Sequence, residues 1–241
     1  MHTAIDRPAR TRSKCGNETT MKTDLLDIRH ADCMDLMREY PDGHFDLAVV
    51  DPPYGIGWDG ENSMADNNSK KWSGARGVGY ERKKWDSVRP DISYFEEVGR
   101  VAKGFIIWGG NYFADLLPPS GGWVVWEKGV PETMTLSQAE LAYISHCDSV
   151  KVCKILWAGF RKCEEGKRIH PTQKPVKLYD WILRNYAKPG DTILDTHMGS
   201  GSIAIACHYA GHHLTACELD ADYYAAGCER VMRETQQTKL F

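Results

Sequence analysis

The stretch VVDPPYGIG, Val49 to Gly57, ends an apolar run in an acid, two prolines and a tyrosine. These residues gain little from packing at a strand end, so their types ask for a chemical reason. Asp51 offers a carboxylate beside the carbonyl of Pro52. Each proline fixes its own φ and lacks an N–H, so the local carbonyls remain acceptors with few neighbouring donors to satisfy them. Tyr54 adds an aromatic face and a hydroxyl. Alone, the tetrapeptide reads equally as rigid chemistry at a strand end or as a turn that merely stops a strand.

A second constellation lies near the other end of the chain. DTILDTHMGSGSIAIACHYAG reads as a strand, a glycine-bearing turn and a helix, followed by the strand LTACELD. Gly199 and Gly201 let the backbone turn tightly and approach a ligand, and Glu218 ends the next strand, where a carboxylate can hold ribose hydroxyls. A GxG turn by itself is also a common structural turn. With Glu218 at this offset it reads as a nucleoside site, although the spacing is not GxGxxG and no P-loop lysine follows the glycines.

The elements that must position these residues alternate. LLDIRHADC and FDLAVV read as strands around the short helix CMDLMREYPDG. The segment from Trp58 to Pro90 is polar and glycine-rich without sustained periodicity, and a loop of that length in a compact domain is usually functional. Helix DISYFEEVGRVA, strand GFIIWGG, helix NYFADLL and strands GGWVVWEK, AELAYISH and KILWAGF come next, then helix QKPVKLYDWILRNYA, strand DTILD, helix SIAIACHYAG, strand HHLTACELD and helix ADYYAAGCERVMRE. This alternation predicts an α/β fold with a doubly wound, mostly parallel sheet in three α/β/α layers, with an antiparallel edge formed by the strands at 121–157.

The 241 residues suit one domain over 21–241, preceded by a polar, basic lead at 1–20 expected to be disordered, with order beginning near Leu25. The net charge of −3 shows no global attraction for polyanions, so nucleic-acid binding must be local. No apolar run reaches membrane length and no hydrophobic segment follows Met1, which predicts a cytoplasmic protein without a membrane partner. The 8 cysteines are scattered without a CxxC pair and read as reduced thiols. Cys153, Cys163 and His170 fit no zinc spacing, and no metal is expected.

DPPY at 51–54, HPTQKP at 170–175 and DTHMGSGS at 195–202 together resemble the amino-DNA methyltransferases, which use S-adenosylmethionine to methylate exocyclic amines of adenine or cytosine. With DPPY first and the glycine motif last, the order resembles the circularly permuted beta class. The resemblance implies a Rossmann-like sheet and assigns catalysis to Asp51, Pro52, Pro53 and Tyr54. Asp51 and the Pro52 carbonyl would accept the two N–H groups of the target amine, and Tyr54 would stack on a base rotated out of the duplex. For the cofactor it implies Asp195, His197, Gly199, Ser200, Gly201 and Ser202 around the methionine part, Glu218 at the ribose, and Asp32 with Cys33 at the adenine. The turn of His170, Thr172, Gln173 and Lys174 would hold the methionine carboxylate, with Lys174 as its cation. Asp195-Thr196-His197 departs from the family's usual Asp-Pro-Phe.

The interval before HPTQKP is short, so DNA recognition is expected from the loop at 58–90, through Lys70, Lys71, Arg76, Arg82, Lys83 and Lys84 interleaved with aromatic residues. A second copy of the chain, as a homodimer, would add contacts to double-stranded DNA. The aspartate heading the motif favours adenine-N6 as the target, because cytosine-N4 enzymes of the family often carry serine there. Cytosine-N4 methylation and a non-catalytic DNA-binding module with a degenerate cofactor pocket stand as the alternatives.

Overall fold

A computed structural model describes residues 19–57, 84–134, 137–158, 161–162 and 168–236. Lys70, Lys71, Arg76, Arg82 and Lys83, and all but the end of the expected lead, lie outside the described residues; Lys84 is described in its backbone only.

The strands are β1 (Thr20–Lys22), β2 (Leu26–His30), β3 (Leu47–Val50), β4 (Phe105–Trp108), β5 (Gly122–Glu127), β6 (Ala139–Ile144), β7 (Val150–Lys154), β8 (Trp157–Ala158), β9 (Arg161–Lys162), β10 (Thr192–Asp195) and β11 (His213–Glu218). The helices are α1 (Cys33–Arg38), α2 (Ile92–Val101), α3 (Val176–Tyr186), α4 (Ser202–Ala210) and α5 (Ala221–Gln236). Nine strands form one sheet in the order β1-β2-β11-β10-β3-β4-β6-β5-β7, and β8 with β9 make a separate hairpin.

From β2 to β4 every pairing is parallel. These strands are buried on both faces, which is why β3 reads LAVV without alternation. Its Leu47 and Val49 face the layer that holds Leu178, Ile182, Ile203 and Val231 of α3, α4 and α5. Ala48 and Val50 face Leu36, Phe95 and Val98 of α1 and α2. The result is the three-layer arrangement that the alternation of elements predicts.

The edges differ from expectation in three ways. At 121–157 the antiparallel character is confined to β4–β6 and β5–β6, while the outermost strand β7 runs parallel to β5. The expected strand KILWAGF is, among its described residues, strand only at Lys154, the last residue of β7, and at Trp157–Ala158 of β8, while the rest of β7 lies over residues where no strand was expected. Order also starts before Leu25: β1 pairs antiparallel with β2, burying Met21 between two exposed neighbours. In addition NYFADLL, expected as a helix, forms a 3-10 turn over Gly110–Phe113.

The chain runs β10-α4-β11 toward one edge and β3-α2-β4 toward the other. The connections leaving the carboxyl ends of adjacent β10 and β3 therefore diverge and open a crevice, the place where doubly wound sheets bind ligands. Asp51 and Asp195 stand at those two ends.

Candidate active site

Asp51 follows β3 directly and is gripped from two sides. The Tyr54 hydroxyl donates to its Oδ1 at 2.7 Å, and the Lys174 ammonium donates to its Oδ2 at 2.5 Å. Lys174 is 4% exposed and also pairs with Glu140 at 3.5 Å, while Glu140 pairs with Lys128 at 3.0 Å. Burial lowers the Lys174 pKa, but the carboxylates of Asp51 and Glu140 outweigh it and raise the group above its ordinary value. Burial likewise raises Glu140, and the ammonium groups of Lys174 and Lys128 more than reverse this. Burial and the adjacent Asp51 hold the Tyr54 phenol well above its ordinary pKa, so it stays a donor. A carboxylate has about four lone-pair sites, so Asp51 keeps acceptor capacity after these two bonds.

This arrangement gives Lys174 partners that the sequence did not indicate. Its ammonium is committed to Asp51 and Glu140, so the cation of the HPTQKP motif serves the acid of DPPY. Tyr54 also differs from a free stacking platform. Tyr112 stacks on it with ring centroids 4.9 Å apart and planes at 16°, and Phe113 meets it edge-on. Gly109, at φ +70, approaches so closely that a Cβ there would stand 2.3 Å from Tyr54 Cε1.

The glycine turn after β10 is held by different means. Gly199 N–H donates to Glu218 Oε2 at 2.8 Å, and Asp220 N–H donates to Oε1 at 3.0 Å. Burial nevertheless raises the Glu218 pKa. Gly201 has φ +72, and a Cβ on it would lie 2.5 Å from Val231 Cγ2, so both backbone conformation and packing demand glycine there. Ser202 donates to the Lys174 carbonyl at 2.7 Å and accepts from Arg230 at 2.8 Å, which locks the glycine turn to the HPTQKP turn. Asp195 is 3% exposed; burial pushes its pKa up to about 8, against the opposing hydrogen bond from His197 N–H. Burial drives His197 down to about 4, leaving a neutral imidazole whose Nδ1 meets Thr196 Oγ1 at 2.9 Å, itself 2.6 Å from the Tyr94 hydroxyl.

Both turns open into one cavity of about 460 Å³. Of the predicted catalytic residues, Asp51 and Pro53 line it, and Pro52 and Tyr54 are not among the lining residues. Asp32 and Cys33 line it at the end of β2, where Asp32 also caps α1 by accepting from Met34 N–H at 2.8 Å, and burial pushes the Cys33 thiol up to about 11. His170, Thr172, Gln173 and Lys174 contribute from the third motif, and His197, Gly199, Ser200, Ser202 and Glu218 from the second. Asp195 and Gly201 do not reach the lining.

Sequence reasoning missed Asp86, whose carboxylate accepts from Tyr54 N–H at 2.7 Å and Gly55 N–H at 3.0 Å. It lies in KKWDSVRP, which reads only as loop. It also missed Tyr179 and Tyr223 in the cavity wall, and Trp85, expected among the DNA-contacting aromatic residues of the 58–90 loop, lines the cavity as well. Glu140 carried a signal that went unused, a carboxylate inside the otherwise apolar strand AELAYI.

Comparison with known proteins bears directly on this geometry. Residues 124–229, from β5 to α5, match a family model described as DNA methylase. YubD of Escherichia coli (strain K12), provisionally named a methylase, is 26% identical over 224 residues, covering 86% of this chain and 91% of YubD. Over these residues the chain is similar to the DNA methylases. Two solved structures share the fold of this chain. PvuII DNA methyltransferase, titled cytosine-N4-specific, superposes with a TM-score of 0.57 at 13% identity, covering 88% of this chain and 92% of that one. The M1.HpyAVI-SAM complex superposes with a TM-score of 0.54 at 19% identity, covering 86% and 100%. The chain has no cluster of metal-binding side chains, and no helix long and apolar enough to cross a membrane, among its described residues.

Proposed function

We propose that this protein transfers a methyl group from S-adenosylmethionine to the exocyclic N6 amine of an adenine rotated out of double-stranded DNA. The observation that carries the reading is that Asp51 and the glycine turn wall one cavity from the ends of adjacent parallel strands. The cavity suits the cofactor in size and chemistry: Glu218 stands at the end of β11 to accept from ribose hydroxyls, and aromatic walls flank it. The Thr172 hydroxyl and the backbone donors of its turn remain for the methionine carboxylate, since Lys174 is engaged elsewhere. S-adenosylmethionine supplies an electrophilic methyl on a cationic sulfur.

Asp51 accepts one N–H of the target amine and the Pro52 carbonyl the other, countering delocalisation of the lone pair into the ring. Lys174 and Tyr54 fix the rotation of the Asp51 carboxylate, so that its remaining lone pairs face the cavity. The nitrogen–methyl bond would form as the sulfur–methyl bond breaks, leaving neutral S-adenosylhomocysteine, and the amine, then cationic, would shed a proton toward Asp51. A strong base is not needed at that stage. Close packing around Lys174 shields its ion pair with Asp51 from water.

The likeness to a cytosine-N4-specific enzyme supports a second reading in which the same acceptors hold cytosine N4. Labelled-methyl transfer to DNA, RNA and protein, followed by mass spectrometry of the nucleosides, tests both. N6-methyladenine is expected; N4-methylcytosine alone transfers the proposal to the second reading. Calorimetric absence of S-adenosylmethionine binding overturns both in favour of a non-catalytic DNA-binding module. A homodimer on DNA belongs to the same proposal and is checked by light scattering.

A further inference from the structure

One buried carboxylate next to the site has no part in the chemistry described so far. Asp86 is 2% exposed, and its Oδ1 receives the backbone N–H groups of Tyr54 at 2.7 Å and Gly55 at 3.0 Å. Its own carbonyl accepts from Gly57 N–H at 3.0 Å. Three donors of the DPPYGIG turn therefore converge on a single residue. The two prolines cannot donate, so Tyr54 and Gly55 carry the first amides after Asp51 that can anchor the turn at all. Gly55 sits at φ +71, a conformation that needs such support, and a Cβ there would stand 3.0 Å from Arg89 N.

The residue before Asp86 does something different. Trp85 lines the cofactor cavity, and its ring lies 5.2 Å from that of His170, which meets Tyr223 at 4.3 Å. These three rings join the segment at 84–86, the HPTQKP turn and α5 along one side of the cavity. One peptide bond thus separates a side chain that walls the cofactor pocket from a side chain that grips the catalytic turn.

We propose that Asp86 is a positioning residue for Asp51, and that the Trp85-Asp86 pair couples occupancy of the cofactor pocket to the geometry of the catalytic turn. The inference rests on the functional reading above for its kinetic consequences, but the anchoring itself does not. Asp86 orders the backbone of Tyr54, whose hydroxyl in turn orients Asp51. Filling the pocket presses on Trp85 and restricts the movement of Asp86 with it.

Two measurements test this. In the ligand-free protein, amide hydrogen exchange resolved by NMR should find Tyr54 and Gly55 protected, and Asp86→Ala should speed their exchange by ~100-fold while β3 and β10 keep theirs. Unchanged exchange at Tyr54 and Gly55 overturns the anchoring, whatever the protein's activity. In the methyl-transfer assay, Asp86→Glu keeps the charge but displaces the carboxylate by one methylene, and kcat should fall ~100-fold with the cofactor Kd changed less than ~3-fold. Asp86→Asn keeps an acceptor oxygen and should restore kcat to within ~10-fold of the parent. Wild-type kcat in Asp86→Glu, or equal losses in kcat and cofactor affinity, overturns the positioning role. For the coupling, adding S-adenosylmethionine should slow exchange at Tyr54 and Gly55 in the parent and not in Trp85→Ala. Slowing of equal size in both overturns the coupling, and failure of the parent to bind the cofactor at all overturns the functional reading while the exchange result still judges Asp86.

Discussion

The turns after β3 and β10 begin alike, each with an aspartate at the carboxyl end of a parallel strand, and the two strands are neighbours. Their acids nonetheless live in opposite electrostatic settings. Asp51 is ion-paired with buried Lys174 and accepts from Tyr54. Asp195 forms no ion pair among the described residues, and burial pushes its pKa to about 8, so at neutral pH it is mostly the uncharged acid. One turn maintains a charged acceptor where an amine can meet it. The other leaves its strand-end acid unpaired by any cation among the described residues and relies on glycine conformation and the anchoring of Gly199 N–H by Glu218.

The largest effect that would sharpen this contrast is chemical. Asp51→Ala should reduce methyl transfer by ~1000-fold or more, since both positioning and the proton acceptor are lost. Sheet content by circular dichroism should persist, and near-parental transfer would abolish the distinction between the turns. Next comes Lys174→Met, which leaves Asp51 and Glu140 facing each other without their shared cation. A loss of ~3 kcal/mol in chemical denaturation is expected, partly recovered by adding Glu140→Gln.

On the β10 side, Gly201→Ala should cost ~2 kcal/mol, from the positive φ and the encroachment on Val231 together. A cost below that of an ordinary exposed substitution would show that the turn can relax. The smallest effect belongs to Asp195→Asn, which copies the neutral acid and should change stability by less than ~1 kcal/mol near pH 5. Because the folded-state pKa of Asp195 is raised from 3.8 to about 8, the stability its neutral form contributes is complete below 3.8 and is lost as pH climbs through 8. The Asn variant has no such proton to lose. Denaturation between pH 5 and pH 9 should therefore show the parent weakening relative to the variant, by less than a full carboxylate burial cost if water enters the site.

The three motifs were legible because their information is local. Prolines after Asp51, glycines after Asp195 and Glu218 at a strand end each constrain a few dihedrals or one strand terminus, and the alternating elements around them fixed a parallel sheet. Lys174 was seen but its protein partners were not, since its sequence neighbours say that it begins a helix and nothing about which carboxylate it faces. Asp86 was invisible for a related reason: its partners are main-chain amides, which carry no residue type to match. β1 and β7 were missed or misread because a three-residue edge strand and the direction of an outer strand depend on what the rest of the sheet leaves unpaired.

By itself, the sequence determined the turn types, the two-sided apolar strands and the residue chemistry available at each strand end. Those follow from the steric range of proline and glycine and from the period of apolar residues, which act within a few positions along the chain. Only the tertiary structure decided which charges meet, because Lys174 and Asp51 stand 123 residues apart and join only in the folded chain, where Lys174 is buried. Electrostatic partnership depends on distance and burial in space, and neither quantity is written in the order of the residues.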